Sequence, residues 1–239
     1  MADPNLPLLL EAARKLAPFL DEIVFVGGVT LGLLIDDEAA APIRGTTDVD
    51  VIAEIITYAD YVEFSERLRQ AGFTEDAGEK ALVCRWHHDN LTLDVLPLSK
   101  DVLGFTNRWY APSLEYATPM ALPSGQSIRV IAAPFFLGTK MEAFRSRGNM
   151  DYQASHDLED FVAVIEGRGT ILAEIAESPQ DLREYLAEAA RALLSESRFL
   201  DVLPGFVLDH ERVPLIRDRL EAIAASISGG TPAPGNNLK

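Results

Sequence analysis

Apolar residues recur at Leu6, Leu8, Leu9, Leu10, Ala13, Leu16 and Leu20, a spacing that predicts a helix with one packing face. The pattern then changes to a short unbroken apolar run, Ile23–Val26, read as a buried strand that ends on Gly27-Gly28. A helix is expected over 28–35, followed by the loop DDEAAAPIRG, which breaks at Pro42. Asp48-Val49-Asp50 opens the next apolar run and a second strand. Residues 58–71 have helical spacing, stop at Gly72, and carry Arg67 and Arg69 where the helix dipole favours cations. Two strands are expected over 80–86 and 91–98, joined by a hairpin turn at His87-His88-Asp89-Asn90.

Between 99 and 126 the periodicity is weaker. It offers a strand-like stretch at 115–118 and a turn at Pro123-Ser124-Gly125, before a closing strand over 127–131. From Pro134 onward every periodic segment is helical, at 134–147, 155–166, 179–196 and 212–227. The chain is therefore expected to be α+β, with an N-terminal mixed-sheet core over 1–132, a C-terminal helical bundle over 133–228 and a flexible tail over 229–239.

This pattern gives several polar residues a chemical meaning. Side chains alternate faces along a strand, so Asp48 and Asp50 project together, roughly 7 Å apart. Two such carboxylates repel unless cations sit between them. Magnesium, a hard cation that takes oxygen ligands and accompanies nucleotide phosphates, is the expected remedy. Gly27-Gly28 leaves backbone N–H groups uncovered where the next helix begins, a place suited to a phosphate. Asp94, in LTLDVLPL, shares a strand face with Thr92 and Leu96 and would be costly if buried unpaired; as a third metal-binding carboxylate it has a partner. Lys140 lies among Phe136, Leu137, Met141 and Phe144 at core spacing, which puts its ammonium on a rim or in a cleft. Asp157 and Asp160, three apart on one helix face, stand where Lys140 or Arg145 could pair with them.

Gly-Gly, then Asp-x-Asp on a strand, then a lone Asp on a later strand resembles the nucleotidyltransferase superfamily of the DNA polymerase β type. The blocks Arg44-x-Thr46-Thr47-Asp48-Val49-Asp50, Lys140-Met141-x-Ala143-x-x-Arg145 and His156-Asp157-Leu158-x-Asp160 resemble, more narrowly, the AbiEii/MenT-like toxin nucleotidyltransferases. The resemblance covers about residues 22 to 165. It implies that the N-terminal half is a nucleotidyltransferase core. Asp48, Asp50 and Asp94 would hold two Mg2+ ions, while Gly27, Gly28, Thr30, Arg44 and Thr47 would bind a nucleoside triphosphate. Lys140 and Asp157 would complete the catalytic set. It further implies a tRNA 3′ end as acceptor and a toxin role with a cognate antitoxin. The family's motif has a basic residue before the Asp matched by Asp157; here it is His156, whose role the resemblance does not assign.

Charge changes the picture of the acceptor. The 239 residues carry 37 acidic against 21 basic side chains, a net charge of −16, which opposes broad binding to nucleic acid. An RNA acceptor would have to rely on a local patch drawn from Arg44, Arg108, Arg129, Lys140, Arg145 and Arg147. A small cationic acceptor of the aminoglycoside type suits the balance better, and a catalytically inactive nucleotide-binding module is the reading from another class. The four histidines and Cys84 lack zinc-ligand spacing, and the single cysteine excludes an internal disulfide. The N-terminal apolar patch is too short and too acidic for a secretory signal, and no apolar run approaches the roughly 18 residues of a membrane span. No membrane partner and a cytoplasmic location are expected.

Overall fold

The computed structural model describes residues 3–77, 83–146 and 150–226. Helix α1 (Leu6–Lys15) carries Pro7 in its first turn, where the missing N–H costs nothing, and buries Leu9, Ala12 and Ala13. Strand β1 (Ile23–Val26) is buried at all four positions. The helix expected over 28–35 forms as a 3-10 turn (Gly28–Thr30) running into the short α2 (Leu31–Leu34). Strand β2 (Asp48–Ala53) follows the loop, and α3 (Tyr58–Gln70) starts from a capping box in which Thr57 and Asp60 satisfy each other's backbone N–H.

The next strands depart from expectation in their ends. A two-residue strand, β3 (Thr74–Glu75), was not foreseen. Strand β4 (Arg85–His88) begins later than the expected 80–86 and continues to His88; positions 80–82 of that expectation lie outside the described residues. The hairpin to β5 (Leu91–Leu96) therefore turns at Asp89-Asn90 alone, with Asp89 in the left-handed region at φ 53°. Beyond it come α4 (Lys100–Leu103) and α5 (Tyr110–Glu115); of the strand expected at 115–118, Glu115 ends α5 and Thr118 opens the strand proper, β6 (Thr118–Ala121). Strand β7 (Ser127–Val130) closes this half.

The helices that follow are α6 (Ala133–Ser146), α7 (His156–Gly167), α8 (Ile171–Glu177), α9 (Gln180–Ser195), α10 (Ser197–Val202) and α11 (Val213–Ala225). The four long ones match the expected segments; α8 and α10 are additions. The fold is α+β, with one seven-stranded mixed sheet in the order β3-β4-β5-β2-β1-β7-β6. Strands β2 and β5 run parallel, as do β1 and β7, and the other neighbours are antiparallel. The hydrophobic core is continuous from α1 and the central strands to α9 and α11, so residue 132 marks where strands give way to helices rather than a gap in packing. The expected tail over 229–239 lies outside the described residues. Among the described residues, no helix is long and apolar enough to cross a membrane.

One element decides where the chemistry can sit. Helix α6 packs against α5 on one side and α7, α8 and α9 on the other, and ten of its fourteen residues are buried. Gly138 lets it approach closely, since a Cβ there would stand 3.0 Å from Leu182 and 3.1 Å from Trp109. A helix surrounded in this way has almost no solvated face, so a charged residue on it must find partners inside the protein.

Candidate active site

Pairing across four strands assembles the core of the site. Asp50 on β2 faces Asp94 on parallel β5, Asp94 faces Arg85 on β4, and on the other side Asp50 faces Val26 of β1. Residues opposite one another in register project to the same face, so Arg85, Asp94 and Asp50 form one row across the sheet. Asp48 stands two residues before Asp50 on that face, as the alternation required. Strand β5 is interior and Asp94 is 7% exposed, whereas the Asp48 side chain is a third exposed and forms the open edge of the cluster.

A side-chain cation bridges Asp48 and Asp94. Arg85 donates from Nε to Asp94 Oδ1 at 2.8 Å and from Nη2 to Asp94 Oδ2 at 2.7 Å, a two-pronged pair; Nη2 also reaches Asp48 Oδ2 at 3.0 Å. The bond to Asp94 and the two carboxylate charges raise the Arg85 pKa further above its ordinary value. Repulsion within the cluster is thus partly met by a side chain, which neither supports nor opposes magnesium at Asp48 and Asp50. The guanidinium already relieves it for Asp48 and Asp94, and among the described residues no group of three acidic, histidine or cysteine side chains is arranged as a ready metal-ligand set. In donor chemistry the cluster still fits a hard divalent cation, because Asp48, Asp50 and Asp94 offer only oxygen.

The glycine pair acts through the space it leaves. Gly27 adopts φ +70°, and a Cβ there would lie 2.0 Å from Asp50 Oδ2, so the carboxylate of Asp50 rests against the Gly27 backbone and no other residue fits. Thr30 is fully buried and its hydroxyl donates to Gly27 O at 2.9 Å, bracing the turn. Asn5, missed in the sequence, fixes the loop that precedes β2. It is 1% exposed, donates to Gly28 O and Arg44 O at 3.2 and 3.0 Å, and accepts from Thr46 N at 2.8 Å. Thr46 in turn donates its hydroxyl to Asp48 Oδ1 at 2.9 Å, while Thr47 is exposed.

Lys140 arrives from α6. Its side chain is 12% exposed, and Nζ lies 2.7 Å from Asp160 Oδ2 and 3.2 Å from Asp157 Oδ1 on α7. Burial disfavours the charged ammonium, but the charges of Asp160 and Asp157, with Asp50 contributing, outweigh it and hold its pKa above the ordinary lysine value. Arg44 lies 3.7 Å from both Asp160 and Glu159, which ties the loop before β2 to the same helix. Lys140, Asp157, Asp50 and Gly27 line a cavity of about 40 Å³ together with Tyr110 and Thr139. That holds water, not a nucleotide, so a nucleotide has to lie along the open edge at Asp48 or widen the cavity. Two cavities of about 630 and 470 Å³ exist elsewhere, and neither contains Asp48, Asp50, Asp94 or Lys140.

The other expected residues are dispersed. His156 is exposed and pairs with Glu159 at 3.1 Å. Arg129 donates to the carbonyls of Asp21 and Leu114, away from the cluster, while Arg108 and Arg145 stack on Tyr185. Arg147 lies outside the described residues. Arg85 and Asn5 are the side chains sequence reasoning missed; Arg85 was visible only as an alternating basic residue in ALVCRW.

No known family profile matches the chain, and no curated protein matches it in sequence. Eight chains of solved structures match it in shape, three of which follow. An antigenic nucleotidyltransferase-like protein of Paracoccidioides brasiliensis is 18% identical, with 84% of this chain and 93% of that one covered, at a TM-score of 0.46. The JHP933 protein of Helicobacter pylori is 13% identical over 93% and 91% of the two chains, at 0.47. Another Helicobacter pylori structure is 12% identical over 94% and 95%, at 0.48.

Proposed function

We propose that the chain is a metal-dependent nucleotidyltransferase that moves a nucleoside monophosphate from a triphosphate to an acceptor hydroxyl. One observation carries this reading: parallel pairing brings Asp48, Asp50 and Asp94 together on one sheet face, and α6 delivers Lys140 to the small cavity that Asp50 and Gly27 line. Three oxygen-only ligands near a fixed ammonium suit phosphoryl chemistry, in which positioning and charge stabilisation do most of the work.

In this reading Asp48, Asp50 and Asp94 hold magnesium, which when bound neutralises the phosphates and favours the deprotonated acceptor hydroxyl. Lys140, held in one place by Asp157 and Asp160, faces the negative charge that grows on the α-phosphoryl oxygens during in-line attack. Gly27, Gly28, Arg44 and Thr47 would contact the triphosphate, Thr47 from the exposed end of β2 beside Asp48. The tRNA 3′ end, a toxin role and a cognate antitoxin rest on the sequence blocks around Arg44, Lys140 and Asp157. The net charge of −16 favours the second reading, a small cationic acceptor.

The test is incubation of the protein with each α-labelled nucleoside triphosphate and magnesium, separately with total tRNA, with cell protein and with an aminoglycoside. Label in tRNA that Asp50→Asn abolishes supports transfer and the toxin-like acceptor. Label confined to the aminoglycoside moves the acceptor to the second reading. No label in any acceptor, with triphosphate still bound, overturns transferase activity in favour of a binding module.

A further inference from the structure

Asp94 is 7% exposed, and both of its carboxylate oxygens are taken by Arg85. The same Nη2 nitrogen bonds Asp48. A cation shared by Asp48 and Asp94 would have to stand where this nitrogen stands, since a guanidinium and a metal cannot both occupy the space between two carboxylates. Arg85 is itself held by its strand register, opposite Asp94, and its side chain is one quarter exposed, which leaves it an outward path.

We propose that Arg85 is the resident counter-cation of this cluster, that a divalent cation binds Asp48 and Asp94 only by displacing its guanidinium, and that a triphosphate receives the displaced guanidinium. The inference rests on the nucleotidyltransferase reading for the identity of the ligands. Arg85 then couples the two. Metal alone must expel a half-buried guanidinium with no anion to meet it, whereas a triphosphate supplies oxygens whose geometry suits the guanidinium fork. Metal and triphosphate enter together, and the carboxylates stay paired between turnovers. Arg85 in this scheme has two partners in turn, Asp48 and Asp94 at rest and the triphosphate when displaced.

The experiment measures binding of MnCl2 and MgCl2 by titration calorimetry to the full chain and to Arg85→Gln and Arg85→Lys. Each is titrated alone and then with α,β-methylene analogues of the four nucleoside triphosphates in turn. Wild type is expected to bind metal weakly alone and at least tenfold more tightly with an analogue. Arg85→Gln is expected to bind metal alone at least tenfold more tightly than wild type, and to lose most of the coupling. Arg85→Lys, which keeps a charge but not the two-pronged fork, is expected to fall between them. Because Arg85→Gln leaves Asp94 buried and unpaired, its melting temperature is expected to fall without metal and to rise with MnCl2 by more than that of wild type. That second readout holds even if the variant is too unstable for calorimetry. Metal affinity in Arg85→Gln equal to or weaker than wild type, with no larger MnCl2-dependent rise in melting, overturns the proposal even if transfer activity is found. Tighter metal binding in a protein that labels no acceptor supports the proposal and removes the transferase reading instead.

Discussion

Replacing Lys140 with methionine separates a structural role from a chemical one. The ammonium lies 2.7 Å from Asp160, which is 1% exposed, so Lys140→Met leaves a carboxylate buried with its nearest cation gone. Breaking a buried pair from one side typically costs about 3–5 kcal/mol. Arg44, 3.7 Å from the same oxygen, offsets part of that, so the expected loss is at the low end, about 3 kcal/mol. At about 2–4 °C per kcal/mol for a chain of this size, melting falls by roughly 6–12 °C. Replacing Asp160 as well removes the most deeply stranded charge and leaves only Asp157, which is 15% exposed, without the lysine, so Lys140→Met with Asp160→Asn is expected to recover most of the loss. Turnover behaves differently. If the ammonium stabilises charge in the transition state, both variants lose roughly 10²-fold or more in kcat, and the regained stability does not restore it. Urea unfolding and labelled-nucleotide transfer on the same preparations measure both. A stability loss in Lys140→Met below about 1 kcal/mol would show that the pair is not a buried couple. Recovery of turnover in the double variant would reduce Lys140 to a structural residue.

Arg212→Ala is expected to cost about 3–5 kcal/mol by urea unfolding, because Glu166, 1% exposed, loses the guanidinium that holds it at 2.6 Å; a loss below about 1 kcal/mol would contradict the buried-pair argument. Asn5→Ala removes three hydrogen bonds at roughly 0.5–1.5 kcal/mol each, so about 2–3 kcal/mol of stability is lost and the KM for triphosphate rises as the Arg44 to Thr46 loop loosens. An unchanged KM would detach that loop from nucleotide binding. Burial, then the Asp94 charge, pushes the Cys84 thiol up to about 12, so the native protein should resist iodoacetamide at pH 8 and react only when unfolded. The unfolded chain releases this proton near the ordinary thiol pKa of about 8.5 and the folded one keeps it, so Cys84 lowers stability as pH rises from about 8.5 towards 12, and Cys84→Ala should flatten that decline.

What the sequence made legible follows from the size of each signal. Strands β1, β2 and β5 are apolar runs next to glycine or turn residues, and α3, α6, α7, α9 and α11 each span three or more turns of a helical period. Helices α4 and α5, with four and six residues, are too short to show a period. Helix α5 is set instead by tertiary contacts: Trp109 is buried and its backbone N–H donates to Asn107 Oδ1, while Asn107 Nδ2 donates to Thr139 O on α6. The carboxylate trio was legible because Asp-x-Asp alternation depends only on the period of a strand. The role of Arg85 was not, because it depends on register. A turn over 87–90 would pair Trp86 with Leu91 and so Arg85 with Thr92. The two-residue turn at Asp89-Asn90 pairs His88 with Leu91 and carries Arg85 on to Asp94.

That two-residue shift alters the electrostatics of the whole site. With Arg85 in the row, Asp48, Asp50, Asp94, Asp157 and Asp160 form one acidic cluster with three cations, Arg44, Arg85 and Lys140, among them. The surplus is two negative charges, the charge of one divalent cation; Glu159, 40% exposed beside Arg44, is largely screened by water. A net negative cluster repels a bare triphosphate and attracts a cation, so phosphates can approach only with metal or after Arg85 turns outward to meet them. Lys140 cannot supply that welcome, because two carboxylates from α7 already hold it in the interior. Of the three cations, Arg85 is the one that bonds both Asp48 and Asp94 and still has a solvent-facing side, and so it is through Arg85 that the site can change its charge.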